Sequence, residues 1–201
     1  MLGFNLNAAA YLKRLGDELG RLDTAALQTW ADWMHEAWRD GRTVFVIGNG
    51  GAATTAAHFS EDAGTEPFRG PAVTPDAKRL KILSLADNPG WITAIGNDLG
   101  FDRVFVEQLI PFAQPGDLLI ALSGSGNSPN LLVAVAWANE HGLRTFALTG
   151  FDGGKLKPIA QAGLHVSVAD MGVAQSLHLA VFHWVLDDLN ARINGLGRFS
   201  K

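Results

Sequence analysis

The sequence predicts an α/β protein with a single doubly wound, five-stranded parallel sheet, preceded by an N-terminal helical hairpin. Three observations lead to this fold class. Short apolar segments alternate with helical ones from residue 42 onward, and each short segment is bounded by Gly, Asp or Ser. The short segments mostly lack polar alternation, as parallel strands covered on both faces do. We expect one domain over residues 1–201, with helices in 1–41 and the α/β core in 42–201.

Residues 5–40 have apolar side chains at helical spacing, which predicts two helices. Asp23 offers a capping residue at the break between them, and Gly41 ends the second. That second helix places Trp30, Met34 and Trp38 on one face, with Trp33 beside them. So much aromatic surface on a peripheral helix predicts a subunit interface. The alternative is that these rings pack on the sheet.

The core elements follow in order along the chain. The predicted strands cover residues 43–47, 81–85, 117–122, 144–148 and 164–168. The predicted helices cover residues 52–63, 88–98, 103–112, 129–141, 154–161 and 173–194. Residues 65–79 carry three prolines and resemble neither element, so we expect a mobile loop there. Ligands of such sheets lie beyond the carboxyl ends of the strands, which directs attention to the strand-to-helix turns.

Composition excludes several classes of protein. Sixteen basic and twenty acidic side chains give a net charge of −4 without any block of like charge, which argues against a nucleic-acid partner. The chain has no cysteine, so disulfides and thiolate metal sites are excluded. The longest apolar run, residues 131–138, is far shorter than the roughly twenty residues of a membrane helix, and no signal peptide is visible. We therefore expect a cytoplasmic protein with no membrane partner.

Two glycine-rich turns each join a predicted strand to a predicted helix. The first is GNGGAA at residues 48–53, where Gly50 and Gly51 allow close approach of a ligand to the backbone. The second is SGSGNS at residues 123–128, which adds three hydroxyl groups. Both turns open a helix, and helix N-termini attract anions. The pair predicts a site for a phosphate ester, and the absence of a GK[ST] sequence excludes a Walker nucleotide site.

Two other interpretations of these turns remain open. The first turn satisfies the dinucleotide fingerprint G-x-G-x-x-A, but the next suitable carboxylate, Asp87, comes almost forty residues after Gly48 instead of about twenty. The second alternative is two tight turns that bind no ligand.

Side chains that can bind a metal or carry a proton cluster on two of the predicted helices. His58 and Asp62 are four residues apart and share a helix face with Glu61 nearby. In the last helix, Gln175 and His183 are separated by about two turns and can reach a common site. Each histidine taken alone, including His178, has the alternative role of a hydrogen-bonded core residue.

These motifs, taken together, resemble a known family. The chain is similar to the sugar isomerase (SIS) domain, with the flavodoxin-like fold of that family, over nearly its whole length. Within it, the resemblance is to the sedoheptulose 7-phosphate isomerase (phosphoheptose isomerase) group. It rests on the segments 46–52, 58–62, 93–98, 123–128 and 148–154, followed by Gln175, His178 and His183.

The resemblance implies a ketose–aldose isomerase acting on a phosphorylated sugar, and a role for each matching residue. Ser123, Gly124, Ser125 and Ser128 match the phosphate turn, Gly50 and Gly51 belong to the first turn of the substrate site, and Asn49 and Asp98 match sugar contacts. One zinc per subunit is implied at His58, Asp62, Gln175 and His183. Asp62 and His183 are also the implied proton carriers. The family is tetrameric, with sites built at subunit contacts.

The chain departs from the family pattern at five positions. Asp62 stands where glutamate is usual, and Ala52 where serine is usual; the others are Gly124 for threonine, Glu66 for arginine and Gly172 for aspartate. These departures leave a different phosphosugar open. A second branch of the family is non-catalytic and regulates by binding a sugar phosphate or the replication initiator protein. That branch lacks the last histidine and the helix carboxylate, so His183 and Asp62 favour the enzyme.

Overall fold

The computed structural model describes residues 6–69, 74 and 76–196, and within these ranges it has eight α-helices and five strands. The helices are α1 (Ala8–Leu19), α2 (Thr24–Asp40), α3 (Gly51–Thr65), α4 (Pro89–Asp98), α5 (Val106–Leu109), α6 (Pro129–Glu140), α7 (Leu156–Ile159) and α8 (Met171–Ile193). The strands are β1 (Thr43–Gly48), β2 (Lys81–Ser84), β3 (Leu118–Ser123), β4 (Arg144–Thr149) and β5 (Ala162–His165). Part of the loop predicted at 65–79 lies outside the described residues.

The strands form one parallel sheet in the order β2-β1-β3-β4-β5, which confirms the predicted fold class. The chain runs from β1 outward to β2 and returns to β3 on the other side of β1. Strand order therefore reverses between β1 and β3, and Gly48 at the end of β1 lies opposite Leu122 of β3. Open α/β sheets bind ligands at such a switch point.

Helices cover both faces of the sheet. On one face, α2, α3 and α8 pack on Val44, Val46, Ile120 and Phe146. On the other face, α4, α5, α6 and α7 pack on residues such as Phe45 and Leu119. Because both faces are buried, the strands need no polar alternation, as their sequences indicated.

Three predicted elements differ from the observed ones. The last strand ends at His165, because Val166 and Val168 are buried beyond the sheet, in a cluster with the start of α8. The helix predicted at 103–112 is a 3₁₀ turn, Phe101–Arg103, followed by the four-residue α5. The helix predicted at 154–161 is reduced to α7. In each of these three segments, tertiary packing buries the apolar side chains although the backbone is not helix or strand over the full predicted length.

The tryptophans of α2 pack against the core, Trp30 completely and Trp33 and Trp38 in part, so they give the predicted subunit interface little support. Trp30 is 1% exposed, and its ring lies 5.2 Å from that of Phe59 and 5.5 Å from that of Phe146. Trp33 meets Phe146 edge-on, and the indole N–H of Trp38 donates to the carbonyl of Lys78 at 3.0 Å. For Trp30 and Trp33 the structure therefore agrees with the alternative, packing on the sheet. Both N-terminal helices are present; α2 covers the sheet and α1 packs on α8.

No helix among the described residues is both long and apolar enough to span a membrane.

Candidate active site

A cavity of about 320 Å³ opens at the carboxyl ends of β1 and β3, at the switch point of the sheet. It is lined by the two glycine-rich turns and by the first turn of α8. Of the residues predicted to bind substrate, the cavity includes Asn49, Gly50, Gly51, Ser123, Gly124, Ser125, Ser128 and Gln175. The structure thus brings together two turns that are more than seventy residues apart in sequence.

The first turn is shaped by Gly50, which caps the N-terminus of α3 with a φ of 56°. This left-handed conformation favours glycine because a side chain would be strained there. The helix begins at Gly51 with no side-chain cap; the N–H groups of Ala52 and Ala53 donate to the carbonyls of Asn49 and Gly50 at 3.0 Å each, which closes the turn.

The second turn is held by its own hydroxyl groups. Ser123 Oγ accepts from the N–H of Gly126 at 3.0 Å, and Ser125 Oγ accepts from the N–H of Asn127 at 3.3 Å. Ser128 caps α6 without a side-chain bond to the helix, which leaves its hydroxyl available to a ligand. Each serine hydroxyl retains its own hydrogen for donation to an anion. The arrangement is that of an anion site at a helix N-terminus.

A pair of asparagines ties the two turns together. Asn49 and Asn130 exchange amide hydrogen bonds in both directions, each at 2.9 Å, and Asn130 is 1% exposed. Asn49 therefore uses one N–H donor and one acceptor site of its amide in bonds to the protein. Its second N–H and the other acceptor site of its oxygen remain for a ligand. Asn130 was missed in the sequence analysis, because an asparagine in the first turn of a helix carries no signal of a partner so distant in sequence.

His58, Asp62 and His183 form a second cluster, between α3 and α8. His58 Nε2 lies 3.1 Å from Asp62 Oδ2, and donor atoms of all three residues lie within 4.8 Å of one another. Burial raises the pKa of Asp62 above its usual range, the hydrogen bond with Glu61 adds to this, and the charge of His58 opposes it. A raised carboxylate pKa suits a general base.

The hydrogen bond of His183 defines which of its nitrogens can react. Its Nδ1 lies 3.1 Å from the carbonyl oxygen of Leu179, which can only accept, so Nδ1 carries the proton. Nε2 then presents its lone pair either to a proton or to a metal ion.

Gln175 and Asp98 lie in different surroundings. The amide of Gln175 packs on Gly51 at the start of α3 and lines the cavity. Asp98 is the last residue of α4 and is exposed, because α4 runs away from the carboxyl edge at which it begins. Of the four predicted zinc ligands, His58, Asp62 and His183 are gathered, and Gln175 stays a prediction. Asp98 does not line the cavity of its own chain.

His178 has the alternative role of a buried core residue. Its Nε2 lies 3.4 Å from the carbonyl oxygen of Thr149, to which it donates, and the side chain is buried. Burial lowers the pKa of His178 to about 4. We assign His178 no contact with the cavity. Its link to the cavity is indirect: Thr149 is followed by Gly150, whose N–H donates to the carbonyl of Gly124 in the second turn.

Replacing Ser125 by alanine is expected to weaken substrate binding. A hydroxyl donated to a phosphate is worth about 1.5–3 kcal/mol, so the Michaelis constant of Ser125→Ala should rise about tenfold in a steady-state assay. Thr29→Ala removes a hydroxyl from α2 that bonds the carbonyl of Ala25, and this control should change nothing. An unchanged constant in Ser125→Ala would reject the second turn as the phosphate site.

The sheet order, the switch-point cavity and the serine-rich turn define a sugar isomerase domain. The chain belongs to the SIS domain family, whose model matches residues 7–150. Within that family it belongs with the phosphoheptose isomerases. It is 37% identical over 185 residues to the phosphoheptose isomerase of Chlorobaculum parvum, covering 90% of this chain and 86% of the relative.

Solved structures agree with this assignment. Phosphoheptose isomerase GmhA from Neisseria gonorrhoeae superposes with a TM-score of 0.82 at 29% identity, covering 92% of this chain and 96% of that one. A phosphoheptose isomerase from Francisella tularensis gives 0.81 at 26% identity, with coverages of 90% and 95%.

Proposed function

We propose that the protein interconverts sedoheptulose 7-phosphate and a glycero-heptose 7-phosphate through an enediolate. The observation that carries this proposal is the pairing of two features on α3 and α8. An anion cavity lies at the start of both helices, and an acid–base cluster lies further along them. Sequence relatives named phosphoheptose isomerase support the choice of substrate.

The reaction needs one proton removed from C1 and one delivered to C2. We assign the carboxylate of Asp62 as the base that takes the C1 proton. His183 Nε2 is its acid–base partner, and His58 orients the carboxylate through their contact at 3.1 Å. The serine-rich turn holds the phosphate and so positions the chain of the sugar.

The distance between the two features agrees with a long substrate. Gly51 at the cavity and His58 in the cluster are seven residues apart, about 10 Å along α3. In a heptose 7-phosphate the reacting carbons are at the end of the chain opposite the phosphate. The residues that line the cavity do not include His58, Asp62 or His183, so the sugar chain has to extend beyond the cavity along α3 to reach them.

The His58, Asp62 and His183 set also suits zinc. Two imidazoles and a carboxylate leaving an open position form a ligand set used by catalytic zinc, and their donor atoms are already grouped. When bound there, zinc would act as a Lewis acid on the sugar carbonyl. Since His183 Nε2 has a single lone pair, it either binds the metal or carries the proton at a given moment.

We expect close to one zinc per subunit in protein purified without chelator. His58→Ala removes one of three gathered ligands and should release most of the metal, as measured by elemental analysis. His141→Ala, at an exposed histidine outside the cluster, should retain it. Metal-free wild-type protein would argue for acid–base chemistry alone.

A homotetramer is the assembly that we propose. Its support is an apolar patch around β2 and α4, where Leu83, Trp91 and Phe112 are 52%, 37% and 57% exposed. The rings of Trp91 and Phe112 are 6.1 Å apart, and exposed Leu99, Phe101 and Ile110 follow in the same part of the chain. Exposed apolar patches of this kind mark interaction sites.

Light scattering should give four times the chain mass of 21.5 kDa. Phe112→Lys places a charge in the patch and should lower the measured mass. Leu12→Lys, at an exposed leucine of α1, should leave it unchanged. A monomer at micromolar concentration would reject the tetramer.

The experiment that tests the proposed function is proton exchange in heavy water. The base that removes the C1 proton can exchange it with solvent, so the wild-type protein should introduce deuterium at C1 of sedoheptulose 7-phosphate or at C2 of the aldose product. Exchange should appear even where net conversion is small. Binding of the sugar phosphate without exchange would exclude this substrate, and silence across a panel of phosphosugars would favour the non-catalytic regulator.

Since a phosphate dianion crosses a bilayer at high cost, the enzyme must lie where its substrate is made, and we propose the cytoplasm.

A further inference from the structure

The first turn of α8 rests on both glycine-rich turns. Met171 and Gln175 are four residues apart and therefore share a face of α8. The Gln175 amide packs on Gly51, where an added Cβ would come within 2.7 Å of Nε2. Met171 packs on Gly124 in the same way, and a Cβ added there would lie 2.8 Å from Cε and closer still to Sδ. Each side chain uses the space that a glycine leaves.

The space over Gly124 is occupied by the side chain of Met171. The φ of Gly124 lies outside the left-handed region in which glycine is favoured, so the backbone there accepts a side chain. The obstacle to a larger residue at position 124 is the thioether of Met171. Positions 124 and 171 thus form one steric unit in the wall of the cavity.

The cavity is lined by two chemically different kinds of side chain. Ser123, Ser125 and Ser128 contribute hydroxyl groups, and Met171 joins Ala52, Leu122 and Leu131 in contributing apolar groups. A bare phosphate ion has no apolar group to place against Met171, whereas a phosphate monoester carries a carbon chain next to its ester oxygen.

We propose that Met171 is a specificity-determining residue, whose thioether contacts the carbon chain of a phosphate monoester and so favours the phosphosugar over inorganic phosphate. This inference rests on the proposed function, because it takes the serine-rich turn as the phosphate site. It assigns a role to a residue that belongs neither to the serine-rich turn nor to the acid–base cluster.

The test compares the affinities of two probes, sedoheptulose 7-phosphate and inorganic phosphate, by titration calorimetry. Met171→Ala should weaken binding of the phosphosugar about tenfold through lost apolar contact, while the affinity for inorganic phosphate changes less than about twofold. Met171→Leu keeps the apolar volume and should restore the phosphosugar affinity to within about threefold of the wild type. Thermal unfolding checks that all variants are folded.

A double-mutant cycle tests the steric unit itself. Gly124→Ala should weaken phosphosugar binding about fivefold in the wild-type background, because the new methyl group displaces Met171. In Met171→Ala it should cost less than about twofold. Additive losses would show that Met171 does not use the space over Gly124, and would overturn the inference.

The remaining outcomes separate this inference from the proposed function. Equal weakening of both probes in Met171→Ala, or no change in either, would overturn the role of Met171 while wild-type binding stands. If the wild-type protein bound neither probe, the proposed phosphate site itself would be wrong, and the inference would fail with it.

Discussion

Asp62→Asn should abolish deuterium exchange into the sugar while leaving its binding nearly intact. The substitution keeps the shape of the side chain and removes the base that takes the C1 proton, and loss of such a group typically costs about 10²–10⁴-fold in rate. The phosphate is held at the serine-rich turn, which Asp62 does not line, so affinity should change by less than about threefold. Exchange is followed by NMR in heavy water, and affinity by calorimetry.

Asp62→Glu is the matched control. It restores the carboxylate that is usual in the family at this position, one bond longer, and should retain exchange. Persistence of wild-type exchange in Asp62→Asn would remove Asp62 from the mechanism. Loss of both exchange and binding would instead indicate a structural role for the carboxylate.

The free energy of unfolding should fall by about 3 kcal/mol between pH 6.5 and pH 4 because of His178. Burial lowers its pKa from the ordinary 6.5 to about 4 in the folded protein, so the unfolded chain takes up the proton first as the pH falls. This contribution is absent above pH 6.5 and grows until the folded state is also protonated. Urea unfolding at a series of pH values measures it.

The variant His178→Gln removes the titrating group and should flatten this part of the pH profile, whatever its stability at neutral pH. His141→Gln, at an exposed histidine, should retain the wild-type slope. An unchanged slope in His178→Gln would show that other groups control the acid sensitivity. The measured quantity is the slope of the unfolding free energy against pH. A general loss of packing energy lowers the free energy at every pH and leaves this slope unchanged.

The local features of the sequence determined most of the fold and half of the site. Alternating short apolar and helical segments predict a doubly wound parallel sheet, and glycines and serines predict the two turns from which the cavity is built. The same-face pair His58 and Asp62 is also local, because four residues of helix bring them together wherever the helix lies. These features depend on periodicity and turn chemistry, and both are set by residues that are close together in the sequence.

Tertiary packing decided the partners of individual side chains. It buries Trp30 against the sheet, pairs Asn49 with Asn130, and seats Met171 on Gly124. The spacing of residues along a helix shows which side chains share a face, but not which residues that face contacts. The contacting residues come from distant parts of the chain, and the packing of the helices on the sheet decides which they are.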